Sequence, residues 1–349
     1  MTTLALLLIG TLHAQTAPRP AVGAIRWDAW HGQQGSPGKA VEKALGPAEW
    51  HYRLPFFAKV LSENEVSIDG TPQEILDREI DFAADAGLDY WAFLKYDDAD
   101  PMSLPLKRYL TSAKKDRIQF CLITELSRWG TKDDHRRQLA RLAELMKEPT
   151  HLKTPGGRPL FYLGFLSEAQ VTKNWGTVAE LRKAVDELRA LAPANPYIVI
   201  MDFNPVQGTK WRDQLGADAI SAYAASGGGI NAPYSALTDY VEKFWARGKA
   251  TGSEVVPIVM TGWDRRPRIV NPVPWEKYQK PREGMEKHYE TATPAAIAQH
   301  VQHAVEWGRT NKSPAILIYA WNENDEGGWL TPTLSEGAAR LDALRKVLK

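Results

Sequence analysis

Strand-like and helix-like segments alternate along most of this chain, and that alternation restricts the fold more than any other feature. Each strand-like segment is a short, nearly continuous apolar run rather than an alternating one. Such runs are typical of parallel strands covered by helices on both faces. They predict eight strands, at Val22–Trp27, Asp89–Tyr96, Ile118–Thr124, Pro159–Phe165, Tyr197–Asp202, Ala217–Tyr223, Val255–Thr261 and Ala315–Trp321.

Amphipathic segments with helical spacing lie between these runs. The segment Pro72–Ala86 follows Thr71, a favourable N-cap, has Glu74 three residues further on, and ends at Gly87. The other predicted helices are Asp133–Met146, Val178–Leu191, Tyr234–Lys249, Pro294–Gly308 and Ser335–Leu348, with shorter ones near Ser103–Lys115 and Gln207–Leu215.

Eight strands, each followed by a helix, predict a single (β/α)8 TIM barrel in the α/β class, covering residues 16–349. An open doubly wound sheet is the alternative, and the lack of a glycine-rich turn after an early strand weakens it. Two stretches, Asp28–Gly70 and Trp263–Thr293, are predicted to be irregular and are too long for simple connectors. They follow strands one and seven, so we expect them to form the walls of a substrate cleft.

The first residues, Met1–Gln15, resemble a secretory signal peptide. Their apolar run Leu4–Leu12 is too short to span a bilayer, and no Lys or Arg precedes it. We therefore expect export to the periplasm or the extracellular space, with a poorly packed N-terminal arm as the alternative. No other apolar run approaches 18 residues, so no transmembrane helix is expected. The single cysteine, Cys121, lies in an apolar run and is predicted to be a buried core thiol.

Composition excludes several classes of function. The net charge is +1, which gives no electrostatic basis for binding nucleic acid or an acidic membrane. The eight histidines show no HExxH or similar spacing, so we expect neither a metal nor another cofactor. No Gly-x-Ser-x-Gly elbow is present, which argues against an α/β-hydrolase. The 13 tryptophans are compatible with sugar binding, although core packing alone explains many of them.

Functional residues of a barrel collect where the strands end at the carboxyl-terminal face. Aromatic and acidic side chains are enriched at these ends, which fits a saccharide cleft, although strand ends commonly turn polar. The candidates for substrate binding are Trp27, Asp28, Trp91, Lys95, Tyr96, Glu125, Asp202, Tyr223, Trp263, Asp264, Trp321, Asn322 and Trp329, with Trp30, His31 and Asp97 beside them. Lys95 has a second interpretation as a Schiff-base lysine, and Ser226–Gly229 is predicted to be a flexible cleft loop rather than a phosphate loop.

The segment Trp321–Trp329 carries the strongest indication of catalysis. Glu323 and Glu326 stand three residues apart within it, after an apolar strand. Two carboxylates among indoles suit the cleavage of a glycosidic bond, because one can handle protons while the other stabilises the reacting carbon. Asn322 is placed to orient Glu323. The alternative is a solvated acidic loop that binds a cation, but the spacing of a calcium loop is absent.

This segment resembles a known family. Trp321–Gly327 is similar to the Asn-Glu-Trp-His-Glu-Gly signature of glycoside hydrolase family 99, the endo-α-mannosidases and endo-α-mannanases. It is closer still to the Ala-Trp-Asn-Glu-Trp-Ala-Glu-Gly of family-99-like, WbsX-type proteins, which are often labelled glycosyltransferases. The resemblance continues, in the expected order, through Gly87–Trp91, Gly157–Tyr162, Asp218–Tyr223 and Pro257–Pro267. Family 71 α-1,3-glucanases share the clan and a related pattern, so the substrate linkage does not follow.

The resemblance implies catalytic roles for both glutamates. Glu326 would be the general acid/base, and Glu323 would take the proton of the sugar 2-hydroxyl, so that O2 attacks C1 to form a 1,2-anhydro sugar. Water would then open this sugar with retention of configuration. The family's Trp-His pair between the glutamates is Asn324-Asp325 here. Asp325 places a third carboxylate beside Glu326, which should raise the proton affinity of one of them.

Three functions are compatible with these patterns. The first is an exported retaining glycoside hydrolase that acts on an α-linked oligosaccharide or polysaccharide. The second is a family-99-like glycosyltransferase, which a signal peptide disfavours because nucleotide sugars are cytosolic. The third is a catalytically silent carbohydrate-binding barrel, for which the altered Asn324-Asp325 pair is the best support.

Overall fold

The computed structural model of the protein describes residues 19–30 and 36–349. The predicted signal peptide, Met1–Gln15, and the candidate His31 lie outside these residues. Within them, no helix combines the length and the apolar character that crossing a membrane requires.

Every predicted strand range contains a strand. In the described part of the chain the strands are β1 Ala21–Arg26, β2 Lys59–Ser62, β3 Glu65–Ser67, β4 Tyr90–Leu94, β5 Gln119–Glu125, β6 Leu160–Gly164, β7 Tyr197–Met201, β8 Ala219–Ser221, β9 Glu254–Val255, β10 Ile258–Met260, β11 Ala315–Tyr319, β12 Asn322–Glu323 and β13 Gly328–Trp329. Nine of them form one parallel sheet in the order β10-β11-β1-β4-β5-β6-β7-β8-β9, while β2/β3 and β12/β13 are separate hairpins.

The large sheet is curled, as in a TIM barrel. Its two edge strands, β9 and β10, are separated along the chain by Val256 and Pro257 alone. The Val256 amide donates to the carbonyl of Ile220 at 2.9 Å, and the Leu317 amide donates to the carbonyl of Pro257 at 3.0 Å. The predicted strand Val255–Thr261 is therefore divided into two, because Pro257 has no N–H to offer to a ladder.

The predicted helices are also present, on the outside of the sheet. The described residues form α1 Ser36–Leu45, α2 Gln73–Ala86, α3 Leu104–Thr111, α4 Arg136–Leu145, α5 Glu168–Trp175, α6 Val178–Leu191, α7 Pro205–Leu215, α8 Tyr234–Ala250, α9 Arg266–Val270, α10 Pro294–Asn311 and α11 Ala339–Leu348. One capping prediction is wrong: α2 begins after Pro72, and the Thr71 hydroxyl donates instead to Asp69, at 2.6 Å. Gly87 ends α2 as expected, in the left-handed region at φ +88°.

The stretch Asp28–Gly70 is not irregular, contrary to the prediction. It contains α1, the 3-10 helix Ala48–Arg53 and the β2/β3 hairpin. These elements enclose a small core of their own, made by Ala29, Trp30, Val41, Leu45, Trp50, Leu54, Ala58, Val66 and Ile68. The elements are short and pack on one another rather than on the sheet, so they do not repeat the alternation of strands and helices that identified the elements of the sheet. The stretch Trp263–Thr293 holds one short helix, α9, and is otherwise irregular, as predicted.

Large aromatic side chains fill the core of the curled sheet. The Tyr90 hydroxyl on β4 lies 3.0 Å from the Tyr162 hydroxyl on β6 and donates to the carbonyl of Ile316 on β11 at 2.8 Å. Gly23 on β1 is the register partner of Tyr90, and a Cβ there would overlap the Tyr90 ring. Cys121 on β5 is fully buried, which confirms the prediction of a core thiol.

Replacing Gly23 with alanine should therefore destabilise the protein. Because Tyr90 is buried and held by two hydrogen bonds, it cannot move aside freely, and overpacking of this kind costs about 1–3 kcal/mol. Chemical denaturation monitored by circular dichroism would measure the loss. Gly156→Ala is the matched control, since the nearest atom to its new Cβ lies 3.9 Å away. Equal midpoints for the two variants would contradict the packing described for Gly23.

Candidate active site

The two glutamates lie on a tight hairpin at the carboxyl end of β11. In this hairpin Glu323 on β12 pairs with Gly328 on β13, and the 3-10 turn Asn324–Glu326 connects the two strands. Gly327 closes the turn at φ +84°, where a Cβ would lie 2.6 Å from the Asp264 amide nitrogen. That amide donates to the carbonyl of Glu326 at 2.7 Å. The loop after β10 thus holds the hairpin in place.

Both glutamates line a cavity of about 660 Å³ at the carboxyl ends of the strands. This volume is typical of a small-molecule site. Aromatic and charged side chains dominate its wall. The lining residues are Trp27, Pro37, Leu94, Tyr96, Met102, Glu125, Arg128, Phe165, Phe203, Tyr223, Ala224, Ser226, Trp263, Arg265, Arg268, Trp275, Glu276, Tyr278, Glu323 and Glu326.

Glu323 is the more deeply buried of the pair. Its Oε1 accepts a hydrogen bond of 2.5 Å from the Tyr223 hydroxyl, and its Oε2 lies 3.4 Å from Nη2 of Arg268. The pKa of Glu323 is raised well above its ordinary value. Burial is the largest cause and the negative charge of Glu326 is the second, while Arg268 offsets them only in part. Asp325 contributes in the same direction as Glu326. The expected effect of a third carboxylate on proton affinity is therefore found at Glu323.

Arg268, on α9, is the main cation of the site. Its guanidinium binds both carboxylate oxygens of Asp325, at 2.7 and 3.2 Å, and its Nη1 contacts Glu326. Nη1 also donates to Glu276 at 3.2 Å. Burial by itself would lower the pKa of Arg268, but Asp325, Glu326 and Glu323 raise it well above its ordinary value. The guanidinium therefore stays charged despite being buried.

A second arginine completes the cluster. Nε of Arg265 lies 3.1 Å from Oε1 of Glu326, and its Nη2 contacts Glu276. The other carboxylate oxygen of Glu326 accepts a hydrogen bond from the Tyr319 hydroxyl. The site therefore places four carboxylates opposite the two guanidinium groups of Arg265 and Arg268. The carboxylates are those of Glu276, Glu323, Asp325 and Glu326. No group of His, Cys, Asp and Glu side chains within residues 19–30 and 36–349 is arranged to hold a metal ion.

Asn322 does not orient Glu323, contrary to the expectation. Its Oδ1 accepts from the Trp27 amide at 2.9 Å, and its Nδ2 donates to Asp28 at 2.8 Å. It thereby attaches the hairpin to the end of β1. Asp28 in turn accepts from Arg26, at 2.7 and 3.0 Å, so a buried ion pair supports this junction.

The buried residues beneath the hairpin also explain why Trp91 and Trp321, which were predicted to bind substrate, do not line the cavity. Arg26 lies over the ring of Trp91 at 4.3 Å and pairs with Glu79 at 2.9 Å. Trp321 donates from its indole nitrogen to Glu79 at 2.8 Å, and its ring centroid lies 5.2 Å from that of Trp91. Both indoles are fully buried beneath the hairpin. A substrate cannot contact side chains without accessible surface, so we do not retain them as substrate-binding residues.

Trp329 and Asp264 are likewise supporting residues. Trp329 is buried under Arg340, whose guanidinium lies 3.6 Å from its ring centroid. Asp264 is buried and pairs with Arg266 at 2.8 Å and with Arg53. Burial would raise the pKa of Asp264, but the hydrogen bond from Arg266 and the charges of both arginines lower it.

Some of the remaining residues predicted to bind substrate line the cavity, and others lie outside it. Lys95 donates to the carbonyl of Tyr96 and pairs with Asp98 at 3.0 Å, outside the cavity, so we do not retain its Schiff-base interpretation. Asp202 accepts from the Asn204 amide at 2.8 Å, also outside the cavity. Trp30 belongs to the small core, and Asp97 accepts from Gln138 at 2.8 Å. The predicted residues that do line the cavity are Trp27, Tyr96, Glu125, Tyr223, Trp263, Glu323 and Glu326.

Sequence reasoning missed several cavity residues. Phe165 directly follows β6, and Phe203 comes two residues after the end of β7, so their positions gave a signal that an emphasis on polar strand ends overlooked. Arg265, Arg268, Trp275, Glu276 and Tyr278 all come from the long loop after β10. That loop was expected to form a cleft wall, but nothing in its sequence indicated which of its side chains turn inward.

Comparison with solved structures supports the fold. The protein is similar to the glycoside hydrolase family 99 endo-α-mannosidase from Bacteroides thetaiotaomicron in complex with bis-tris propane, with a TM-score of 0.59 and 14% identity over 94% of each chain. A second structure of the endo-α-mannosidase from that organism gives a TM-score of 0.58 and 13% identity over 94% of this chain and 95% of the other. Neither a family model nor a curated protein sequence matches the chain. This similarity therefore establishes the fold, whereas the chemistry has to be inferred from the side chains of the site.

The raised pKa of Glu323 predicts that Glu323→Gln becomes relatively more stable as pH rises. A carboxyl whose pKa is raised by folding stabilises the native state fully only below its unfolded pKa, which is about 4.3. Wild type loses this contribution as pH increases through the raised value, whereas the glutamine variant does not. Thermal melts from pH 4 to pH 8 should show a growing advantage for the variant relative to wild type.

Asp81→Asn provides a control of opposite sign. Burial would raise the pKa of Asp81, but hydrogen bonds from Lys114 and Arg117 lower it. Its charged form therefore stabilises the fold fully above the unfolded pKa, which is about 3.9, and this contribution is lost as the pH falls below that value. The disadvantage of the asparagine variant should therefore be nearly constant from about pH 5 to pH 8 and should shrink in melts extended to lower pH. A pH-independent difference between Glu323→Gln and wild type would disprove the environment described for Glu323.

Proposed function

We propose that this protein is an exported retaining glycoside hydrolase that acts on an α-linked oligosaccharide or polysaccharide, and that it belongs with the family-99-like proteins. The observation that carries the proposal is the shared position of Glu323 and Glu326 on the wall of one aromatic-lined cavity at the carboxyl ends of the strands. Carboxyl groups paired in this way are the usual machinery of glycosidic bond cleavage.

We also infer that the curled sheet closes as the predicted (β/α)8 barrel. The two edge strands come from one short run, Glu254–Met260, and each is bonded to a different neighbour. If β9 and β10 are counted as one interrupted strand, the sheet has eight strands and no free edge within the described residues. Closure would explain how loops from all parts of the chain reach a single cavity.

The proposed mechanism uses one acid and one base. Glu326 protonates the leaving oxygen while Glu323 takes the proton of the 2-hydroxyl, O2 attacks C1, and the bond from C1 to the leaving oxygen breaks. Water then attacks C1 of the anhydro sugar, giving its proton to Glu326, while Glu323 returns its proton to O2. Two displacements at C1 give net retention of configuration.

The charges of the site determine how many protons the glutamate pair carries, whereas the division of roles follows from the resemblance of the signature. Burial and the negative charge of Glu326 raise the pKa of Glu323, so the shared proton is favoured on Glu323 before a substrate binds. Four carboxylates against two guanidinium groups leave an excess of negative charge, which favours one proton on the glutamate pair. An enzyme that needs one acid and one base requires that protonation state.

Substituting each glutamate should distinguish their roles. In Glu326→Gln, hydrolysis of α-glycosides with poor leaving groups should fall by about 100-fold or more, whereas activated aryl glycosides should be affected much less, because they leave without protonation. Glu323→Gln should lose both activities. Steady-state kinetics on α-manno- and α-gluco-configured substrates would measure this. If both variants hydrolyse a confirmed substrate as fast as wild type, the proposed function is wrong.

Asp202→Asn is the matched control for these variants. Asp202 also follows a barrel strand, and burial raises its pKa, but it does not line the cavity. Its kcat/KM should stay within about threefold of wild type, since a surface or supporting substitution of this kind has a small effect. A loss as large as that of Glu323→Gln would show that the measured effects are not specific to the cavity.

The stereochemistry of the first product is a separate test. Proton NMR of the anomeric signals during early hydrolysis of α-mannan or α-glucan oligosaccharides should show the α-anomer first, before mutarotation. Net retention is required by the two displacements at C1. An initial β-anomer would exclude the anhydro-sugar mechanism, although hydrolysis itself would remain established.

A further inference from the structure

Three aromatic side chains lead from the rim of the cavity to Glu323. Phe165, Phe203 and Tyr223 follow the consecutive strands β6, β7 and β8. The ring centroids of Phe203 and Phe165 lie 6.4 Å apart, and those of Phe165 and Tyr223 lie 5.4 Å apart. Tyr223 then donates its hydrogen bond to Glu323. Phe165 is therefore connected to Glu323 through Tyr223, and Phe203 is connected to it through Phe165.

The two phenylalanines are exposed within the cavity. Phe203 keeps 59% and Phe165 keeps 40% of its surface accessible, and both line the same cavity as the glutamates. A single exposed apolar side chain is ordinary on a protein surface. Two exposed apolar side chains that contact each other inside a concave site are unusual, because their common surface stays in water until a ligand covers it.

The backbone of Phe165 provides an independent observation. Its φ is +57°, in the left-handed region, where a bulky side chain costs free energy that glycine would not. The other non-glycine residues with positive φ in the described chain are Asn231, Arg282 and Lys312. Residues held in such conformations concentrate at functional sites. The conformation turns the ring of Phe165 into the cavity rather than into the core.

We propose that Phe165 and Phe203 form a sugar-stacking subsite for an oligosaccharide chain, separate from the subsite at Glu323 and Glu326. The inference rests on the proposed function. A pyranose ring has apolar C–H faces, and covering them with an aromatic ring removes both surfaces from water. The two rings stand at 73° to each other, so they form a corner that contacts one sugar on its face and on its edge.

This arrangement predicts a dependence on the length of the substrate. A chain that reaches from the glutamates to the corner gains the stacking contact, whereas a small aryl glycoside bound at the glutamates does not. Removing either ring should therefore weaken the binding of longer oligosaccharides by a much larger factor than the binding of a small aryl glycoside. A protein partner seated on the same two rings would show no such dependence.

The test uses Phe165→Gly and Phe203→Ala, with Lys312→Gly as the control. Lys312 has the same φ of +57° as Phe165 but lies at the C-cap of α10, away from the cavity. Both glycine variants should keep or raise the thermal midpoint, because glycine relieves the left-handed backbone. Phe203 is exposed, so Phe203→Ala should fold normally and provides a second measurement if Phe165→Gly does not.

Isothermal titration calorimetry with α-linked manno- and gluco-oligosaccharides of two to six sugars would measure the affinities. The parent protein and all three variants carry Glu326→Gln in this experiment, so that the sugars are not hydrolysed during the titration. We expect Kd for the longer chains to rise about tenfold in both phenylalanine variants and to stay unchanged in Lys312→Gly. Unchanged Kd in Phe165→Gly and Phe203→Ala would overturn the subsite, as would a parent protein that binds none of these sugars. Binding that depends on both rings, without hydrolysis by wild type, would keep the subsite and reject the glycosidase.

Discussion

Four carboxylates cannot be buried together at one cavity wall unless positive charge compensates them, and Arg268 is the principal source of that charge. Its guanidinium binds Asp325 at 2.7 and 3.2 Å, contacts Glu326, and lies 3.4 Å from Glu323. An uncompensated buried charge is expensive, so the fold of the loop that carries Arg268 and the position of the glutamates depend on each other. Asp325, which is fully buried, binds this arginine through both of its carboxylate oxygens.

The curled sheet supplies the rigid base on which this cluster rests. Beneath the hairpin, the buried ion pairs of Arg26 with Asp28 and Glu79 connect β1, α2 and the end of β11. Asn322 extends the connection by bonding to Trp27 and Asp28. Groups that perform chemistry must be held within a fraction of an ångström, and a layer of satisfied hydrogen bonds below them provides that precision. Trp91 and Trp321, two of the tryptophans predicted to bind sugar, form part of this layer instead.

The wall of the cavity has one highly charged region and one apolar region. Near Arg268 the wall is ionic, whereas near Phe165 and Phe203 it is aromatic and exposed. In the proposed function these two regions would serve different parts of one carbohydrate, since the reacting bond needs proton transfer and the adjoining rings need apolar contact. The position of Tyr223 between them, bonded to Glu323 and packed on Phe165, joins the two regions.

The sequence by itself determined the strands, the main helices and the place of Glu323 and Glu326 at a strand end, because periodicity and chain order are local properties. It also indicated that the loop after β10 would form a wall of the cavity. Only the tertiary structure decided that Trp91 and Trp321 are buried while Phe165 and Phe203 are exposed, and that Arg268 meets three acidic side chains more than fifty residues away along the chain. Such contacts depend on how distant segments pack, and no local pattern of residue types encodes the direction in which a loop side chain turns.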